Sequence, residues 1–135
     1  MADVLADIDA KVDNATMATM VEGERSRLLA AQECNGDVAC WRKKLVSTDA
    51  NVRERAAYEV GWRGAKEAKD DLIKAAADDN AEVRMAAVLS LGRLGGGDPK
   101  QLEGIYEQSK NREEYVGVNQ ELQRLIARSK SAQKR

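Results

Sequence analysis

Histidine and phenylalanine are both missing from this chain of 135 residues. Without His, no Ser–His or Cys–His pair can form, so hydrolysis by a His-activated serine or cysteine is nearly excluded. With two cysteines as the only thiolates, a zinc-type site is not expected either. Aromatic residues make up 4% of the chain and there is one proline, Pro99. The longest apolar runs, such as Leu28 to Ala31, are far too short to span a bilayer. Nor is there an excess of base: 22 Lys and Arg stand against 23 Asp and Glu, for a net charge of −1. A general nucleic-acid binder needs a basic face, so that class is disfavoured. The chain opens Met1-Ala2-Asp3, acidic where a signal peptide carries base, and no signal peptide is expected.

What remains is rich in Ala, Leu, Glu, Lys, Arg and Gln, the residues that cost least to place in a helix. Such a composition, poor in β-branched and aromatic residues, predicts an all-α domain. The length suits one domain with a real core. Charge is unevenly spread. Residues 1–24 hold Asp3, Asp7, Asp9, Asp13, Glu22 and Glu24 against Lys11 alone. Residues 124–135 hold Arg124, Arg128, Lys130, Lys134 and Arg135 with no acid. Two solvated ends would explain this. A head-to-tail association, or a basic tail docking on something acidic, would explain it too.

The strongest signal is an internal repeat, which decides the fold when present. NAEVRMAAVLSLGRLG (80–95) aligns without a gap on DANVRERAAYEVGWRG (49–64), at an offset of 31 residues. Val52 matches Val83, Arg53 matches Arg84, Ala56 matches Ala87, Val60 matches Leu91, and Gly61 and Gly64 match Gly92 and Gly95. Val52, Ala56 and Val60, like Val83, Ala87 and Leu91, recur every four residues and share one helix face. Asp49 and Asn80 suit the N-caps, and Gly64 and Gly95 the stops. A partner helix precedes each: Cys40-Trp41 through Val46, then Asp71-Leu72-Ile73 through Ala77. A third unit opens at GGGDPKQLEGIY, with Asp98 as cap, Pro99 at the first helical position and Gln101 placed for a capping box. Its second helix, roughly 111–128, carries Val118, Leu122 and Leu125 in register, while Glu114 breaks the pattern where Val83 would place an apolar residue.

Asn51-Val52-Arg53…Gly61…Gly64 and Glu82-Val83-Arg84…Leu91-Gly92…Gly95 resemble the HEAT-repeat family, in particular the short bacterial repeats of phycobilisome lyase-like proteins. The likeness covers 37–109 well and 110–128 weakly. It implies a right-handed α-solenoid of about three helical hairpins (37–64, 66–95 and 98–128). A degenerate last repeat gives such a stack its polar end. Residues 1–33 are expected to form a helical cap over the first repeat. Val4, Ile8 and Val12, then Met17, Met20, Val21, Leu28 and Leu29, would supply its apolar face, in one helix or in two broken near Gly23. The competing reading is a partly disordered arm. Residues 129–135 read as a basic disordered tail.

The resemblance also implies that the second helix of each hairpin lines the concave face. Removing the core positions leaves Glu54, Tyr58 and Trp62 in line on the first such helix. Met85, Leu89 and Arg93 align on the next, and Val116, Gln120 and Arg124 on the third. Tyr58, Trp62, Met85 and Leu89 are apolar or aromatic where the family pattern usually has Glu, Arg or Ala. A rigid aromatic patch of this kind is what a binding hot spot requires. The competing reading is that the N-terminal helix or the curvature of the stack buries it. Arg53 and Arg84 sit where the family places a structural arginine, facing carboxylates such as Asp49, Asp78 or Asp79. Glu59 and Arg63, four apart, suggest a paired and locally open edge. Cys34 and Cys40 flank an Asn-Gly turn and can reach disulfide distance if the chain reverses there, the alternative being two buried thiols. A bridge would imply an oxidising, extracytoplasmic compartment, its absence the cytoplasm by default.

GGGDPK lacks the spacing of a P-loop, and the pairs Asp70-Asp71 and Asp78-Asp79 read as caps and solvated charges. The expectation is therefore a non-catalytic protein-interaction module that binds a protein partner on its concave face. No cofactor, no nucleic acid and no membrane insertion are expected, and the chain is expected to be a monomer or to self-associate weakly through its acidic and basic ends. The rival implied by the resemblance is a bilin lyase-like subunit acting on a tetrapyrrole-carrying protein. A DNA-repair glycosylase of HEAT-like fold would need a basic cleft, whereas the stripe is largely uncharged. Lyases and glycosylases of this type are also longer.

Overall fold

A computed structural model describes residues 14–134. Its helices are α1 (Asn14–Cys34), α2 (Val38–Lys44), α3 (Ala50–Trp62), α4 (Lys69–Ala75), α5 (Ala81–Arg93), α6 (Pro99–Ser109) and α7 (Val116–Gln133). Short 3₁₀ turns, Lys66–Ala68 and Glu113–Tyr115, lead into α4 and α7. α2 pairs with α3, α4 with α5 and α6 with α7, while α3, α5 and α7 stack in a row. α1 lies against α3 at the free end of that row. The result is an all-α solenoid.

Local chemistry sets the helix ends. Asp37, Asp49, Asn80 and Asp98 each turn a side-chain oxygen onto a backbone N–H in the first turn that follows, at 2.9 to 3.3 Å. Gly64 (φ 67°) and Gly95 (φ 93°) take the left-handed conformation that stops α3 and α5. The next amides then reach back, Ala65 N to Val60 O at 3.0 Å and Gly96 N to Leu91 O at 2.8 Å.

The repeating seam is buried as its period requires. Val52, Ala56, Val60, Val83, Ala87, Leu91, Val118, Leu122 and Leu125 are all inside, joined by Trp41, Leu72 and Leu102 from the first helices. α3 and α5 come especially close. A Cβ on Gly61 would lie 2.3 Å from Ser90 Oγ and 3.0 Å from Ser90 Cα. Across this contact the buried Ser90 hydroxyl donates to the Ala57 carbonyl at 2.6 Å.

Polar ties link the turns. Arg53 holds Asp78 at 2.9 and 3.2 Å and donates to Ser47 O, so this half of the expected ladder forms. Arg84 instead donates to the backbone carbonyls of Asp78 and Ala77, and its guanidinium lies 3.9 Å from the Tyr115 ring centroid. The reason is that the position one repeat on from Asp78 is Ser109, so Arg84 has no aligned carboxylate, while its bond to Asp78 O repeats that of Arg53 to Ser47 O. Tyr115, at the aligned position one repeat on, closes the site by donating its hydroxyl to Asp79 O.

Two ends differ from expectation. α1 is a single helix through Gly23, and its apolar residues do not face the stack: Met20 is 60% exposed and Leu29 56%, with Val21 and Leu28 also outside. Small residues make the contact instead. Gly23 packs on Asn51, Ala30 and Cys34 are buried, and Arg27 donates to Asn51 and Glu54. Val4, Ile8 and Val12 lie outside the described residues, and the Met17 side chain is likewise not described. The expected disordered tail at 129–135 is largely helix, because α7 runs to Gln133 rather than ending near 128. Ser129 is buried against side-chain-free Gly96 and accepts from Gly97 N at 3.1 Å, and Lys130 pairs with Glu103.

Cys34 and Cys40 form a disulfide, with Cα atoms 5.2 Å apart. The turn between them places Asn35 in the left-handed region (φ 48°), which Asn tolerates better than most residues. Its carbonyl accepts from both Trp41 Nε1 and Arg63 Nη2, at 3.1 Å each.

The Gly61 contact generates a paired prediction. Gly61→Ala should cost about 1–3 kcal/mol through overpacking, although Ala favours a helix by about 1 kcal/mol. Gly104→Ala, where a Cβ meets nothing within 4 Å, should gain about 0.5–1 kcal/mol. Urea midpoints of the two variants should therefore move in opposite directions. Asp49 supplies a second. Burial pushes its carboxyl up, but hydrogen bonds from Ser26, Asn51 and Val52 outweigh this and hold it below its ordinary value. A carboxyl depressed by folding stabilises fully above the ordinary carboxylate range and loses that contribution as pH falls through its folded value. Asp49→Ala should therefore cost about 1 kcal/mol at neutral pH. The gap in thermal midpoint should close below roughly pH 4.

Candidate binding groove

Beside the buried seam, α3, α5 and α7 each turn a second row of side chains outward. Tyr58 and Trp62, four apart on α3, stack with centroids 5.5 Å apart and planes 17° from parallel. Trp62 stays 54% exposed and Leu89, on α5, 40% exposed. These residues line a groove of about 740 Å³ together with Val88, Gly92 and Arg93. Its far wall is α7, through Glu121, Arg124, Leu125, Ala127 and Arg128. Burial and the nearby Glu54 carboxylate push the Tyr58 phenol up from its ordinary pKa, so it is a neutral hydroxyl at physiological pH.

The groove opens because α5 and α7 pack less closely than α3 and α5. Gly61 receives Ser90. One repeat on, the matching position opposite Gly92 carries Glu121, too long to fit against a glycine and turned instead to Arg124. With no side chain, Gly92 leaves the floor open, and a Cβ there would meet only the flexible Arg128 Nη1, at 3.2 Å.

Of the stripe residues, Tyr58, Trp62, Leu89, Arg93 and Arg124 come together at this groove. Glu54 does not, since Arg27 of α1 holds it at 2.9 Å. Met85 is half-buried and faces Gly117 on α7. Val116 and Gln120 are exposed but outside the groove lining. Glu59 and Arg63 do pair, yet the edge is not open. Glu59 is buried, bridged by Arg55 at 2.8 Å and Arg63 at 3.0 Å, because Arg63 reaches on to the Asn35 carbonyl and roofs it.

The stripe alone missed the basic character of the site. Arg128 joins Arg93 and Arg124, and Glu121 is the one acid in the lining. Among the described residues no carboxylate pairs with Arg93 or Arg128. The Arg124–Arg128 spacing of four is the available signal, but Arg128 lies outside the stripe positions that the repeat register defines.

A family model described as HEAT repeats matches residues 39–116, from α2 to the first residue of α7. The chain belongs to the HEAT-repeat family. No curated protein sequence matches the chain, and no solved structure does. HEAT repeats are generally protein-interaction modules. Here the matched span contains the aromatic wall and floor of the groove, while most of its cationic wall, on α7, lies beyond the match. Among the described residues no helix is long and apolar enough to cross a membrane.

Proposed function

We propose that this HEAT-repeat chain is a non-catalytic adaptor whose groove takes an amphipathic helical segment, apolar on one face and acidic along its flanks. The observation that carries this reading is the Tyr58–Trp62 stack with Trp62 and neighbouring Leu89 exposed, in a groove edged by Arg93 and Arg128, which pair with no carboxylate among the described residues. Rigid aromatics give much contact area for little entropy loss. Guanidinium groups at the rim select carboxylates and speed encounter. Helix-in-groove docking reads an i, i+3, i+4 set of apolar anchors, which suits a cleft running between parallel rows of side chains.

The disulfide supports an oxidising compartment as the place of action. Intact mass with and without prior reduction, after alkylation, should show no free thiol in the native protein. Two alkyl adducts before reduction would overturn that assignment.

The groove itself is tested with a synthetic helix carrying leucines at i, i+4 spacing and glutamates along the flanks. Trp41 is buried, so a change in tryptophan fluorescence on titration reports Trp62. Trp62→Ala and Leu89→Ala should each weaken binding about tenfold or more, ~1.4 kcal/mol, with little change in thermal midpoint. Gly92→Leu should fold normally and block the groove. A large drop in melting temperature for Trp62→Ala would show the stack to be core. Equal binding by all variants would remove the groove, and tighter binding of DNA than of the helix at physiological salt would overturn the choice of partner.

A further inference from the structure

We infer that the groove accepts residues 1–13 of a second copy of this chain, so that copies join head to tail. This inference rests on the groove reading above and names its occupant. Residues 1–13 carry Asp3, Asp7, Asp9 and Asp13 against Lys11, the reverse of a lining with Arg93, Arg124 and Arg128 against Glu121. Val4, Ile8 and Val12 recur every four residues and would form one apolar edge if the segment is helical, matched in kind to Tyr58, Trp62 and Leu89. Both halves of the complementarity, apolar and ionic, are thus present in one sequence.

Geometry favours the second copy over the same one. α1 runs alongside α3 in the same direction, with Arg27 at Asn51 and Glu54, and Asn35 at Arg63. Tyr58 is therefore level with about residue 30 of α1, roughly 24 Å along the axis from Asn14 at 1.5 Å per residue. A helix of residues 1–13 spans only about 20 Å. The centre of the groove lies farther still, beyond α3 by about another helix spacing of 8–10 Å. A helical segment from the same chain falls short, and a neighbour's does not. The contact is heterologous, each copy offering its segment to one neighbour and its groove to another, so it builds rings or open chains and depends on concentration.

Sedimentation velocity of the full chain over a wide concentration range, at low and high salt, tests this. The wild type should associate with rising concentration, and less so at high salt. Asp7→Lys/Asp9→Lys and Arg93→Glu/Arg128→Glu should each stay monomeric with unchanged circular dichroism. Their equimolar mixture should associate at least tenfold more tightly than either alone, because each reversed segment finds a reversed groove. A monomeric wild type, association indifferent to both reversals, or a mixture that fails to associate would overturn the inference. The unrelated acidic helix separates the two ideas. If it still binds through Trp62 while the wild type stays monomeric, only self-docking falls; if it does not bind, the groove reading falls with it.

Discussion

The close approach of α3 and α5 at Gly61 and Ser90 is the constraint from which the rest of the molecule follows. A glycine on one helix and a serine on the next let two backbones pack with only the small serine side chain between them. The serine hydroxyl then satisfies itself on a carbonyl of the opposing helix. A buried hydroxyl without such a partner would cost roughly 1–3 kcal/mol, so the contact works only in one register. That register sets which residues of α3 and α5 are core and which form the outer row. Trp62 and Leu89 are exposed, and Tyr58 half-buried, because Val60, Ala57 and Ser90 are inside.

The same position one repeat later is where the pattern is broken and a groove opens. Gly92 is again a glycine, but its opposite number is Glu121, and the third helix stands off. A solenoid stacked with equal tightness throughout would have no such cleft between its second and third units. The opening is therefore a departure from the repeat. The residues that mark it, Glu121, Arg124 and Arg128, belong to the unit whose sequence matches the others least.

This explains what was legible in the sequence and what was not. Burial follows period, so the gap-free offset of 31 residues between 49–64 and 80–95 identified the seam, the caps and the glycine stops. The aromatic row was readable for the same reason, being what remains once the core positions are removed. Contacts without a period were not. Glu54 is withdrawn by Arg27, whose spacing from it obeys no repeat. Glu59 is buried because Arg63 bends toward a disulfide turn outside the repeating unit. α1 misled most. Its apolar residues suggested a packing face, but small residues at 23 and 30 allow a closer approach than leucines do, and the larger side chains turn outward. Reading the end of α7 as a tail had a similar cause, since polar Ser129 and Lys130 find their partners, Gly96 and Glu103, only in three dimensions.

The two walls of the groove differ in how they are held, and the difference bears on how the proposed binding would work. The aromatic wall stands on α3 and α5, locked together by backbone proximity and an interhelical hydrogen bond. It offers its rings already ordered, which lowers the entropic cost of association. The cationic wall stands on α7, tied to α6 by the buried Ser109–Asn119 pair and to the preceding turn by Tyr115, but joined less closely to α5. Among the described residues Arg128 on this wall, like Arg93 on α5, has no ion pair, so a carboxylate arriving there would displace water and no described partner. A wall of fixed apolar shape opposite a wall of adaptable charge suits a segment whose hydrophobic spacing is strict and whose acidic positions are variable. Specificity would then reside in the anchors that meet Trp62 and Leu89, with charge governing encounter more than fit.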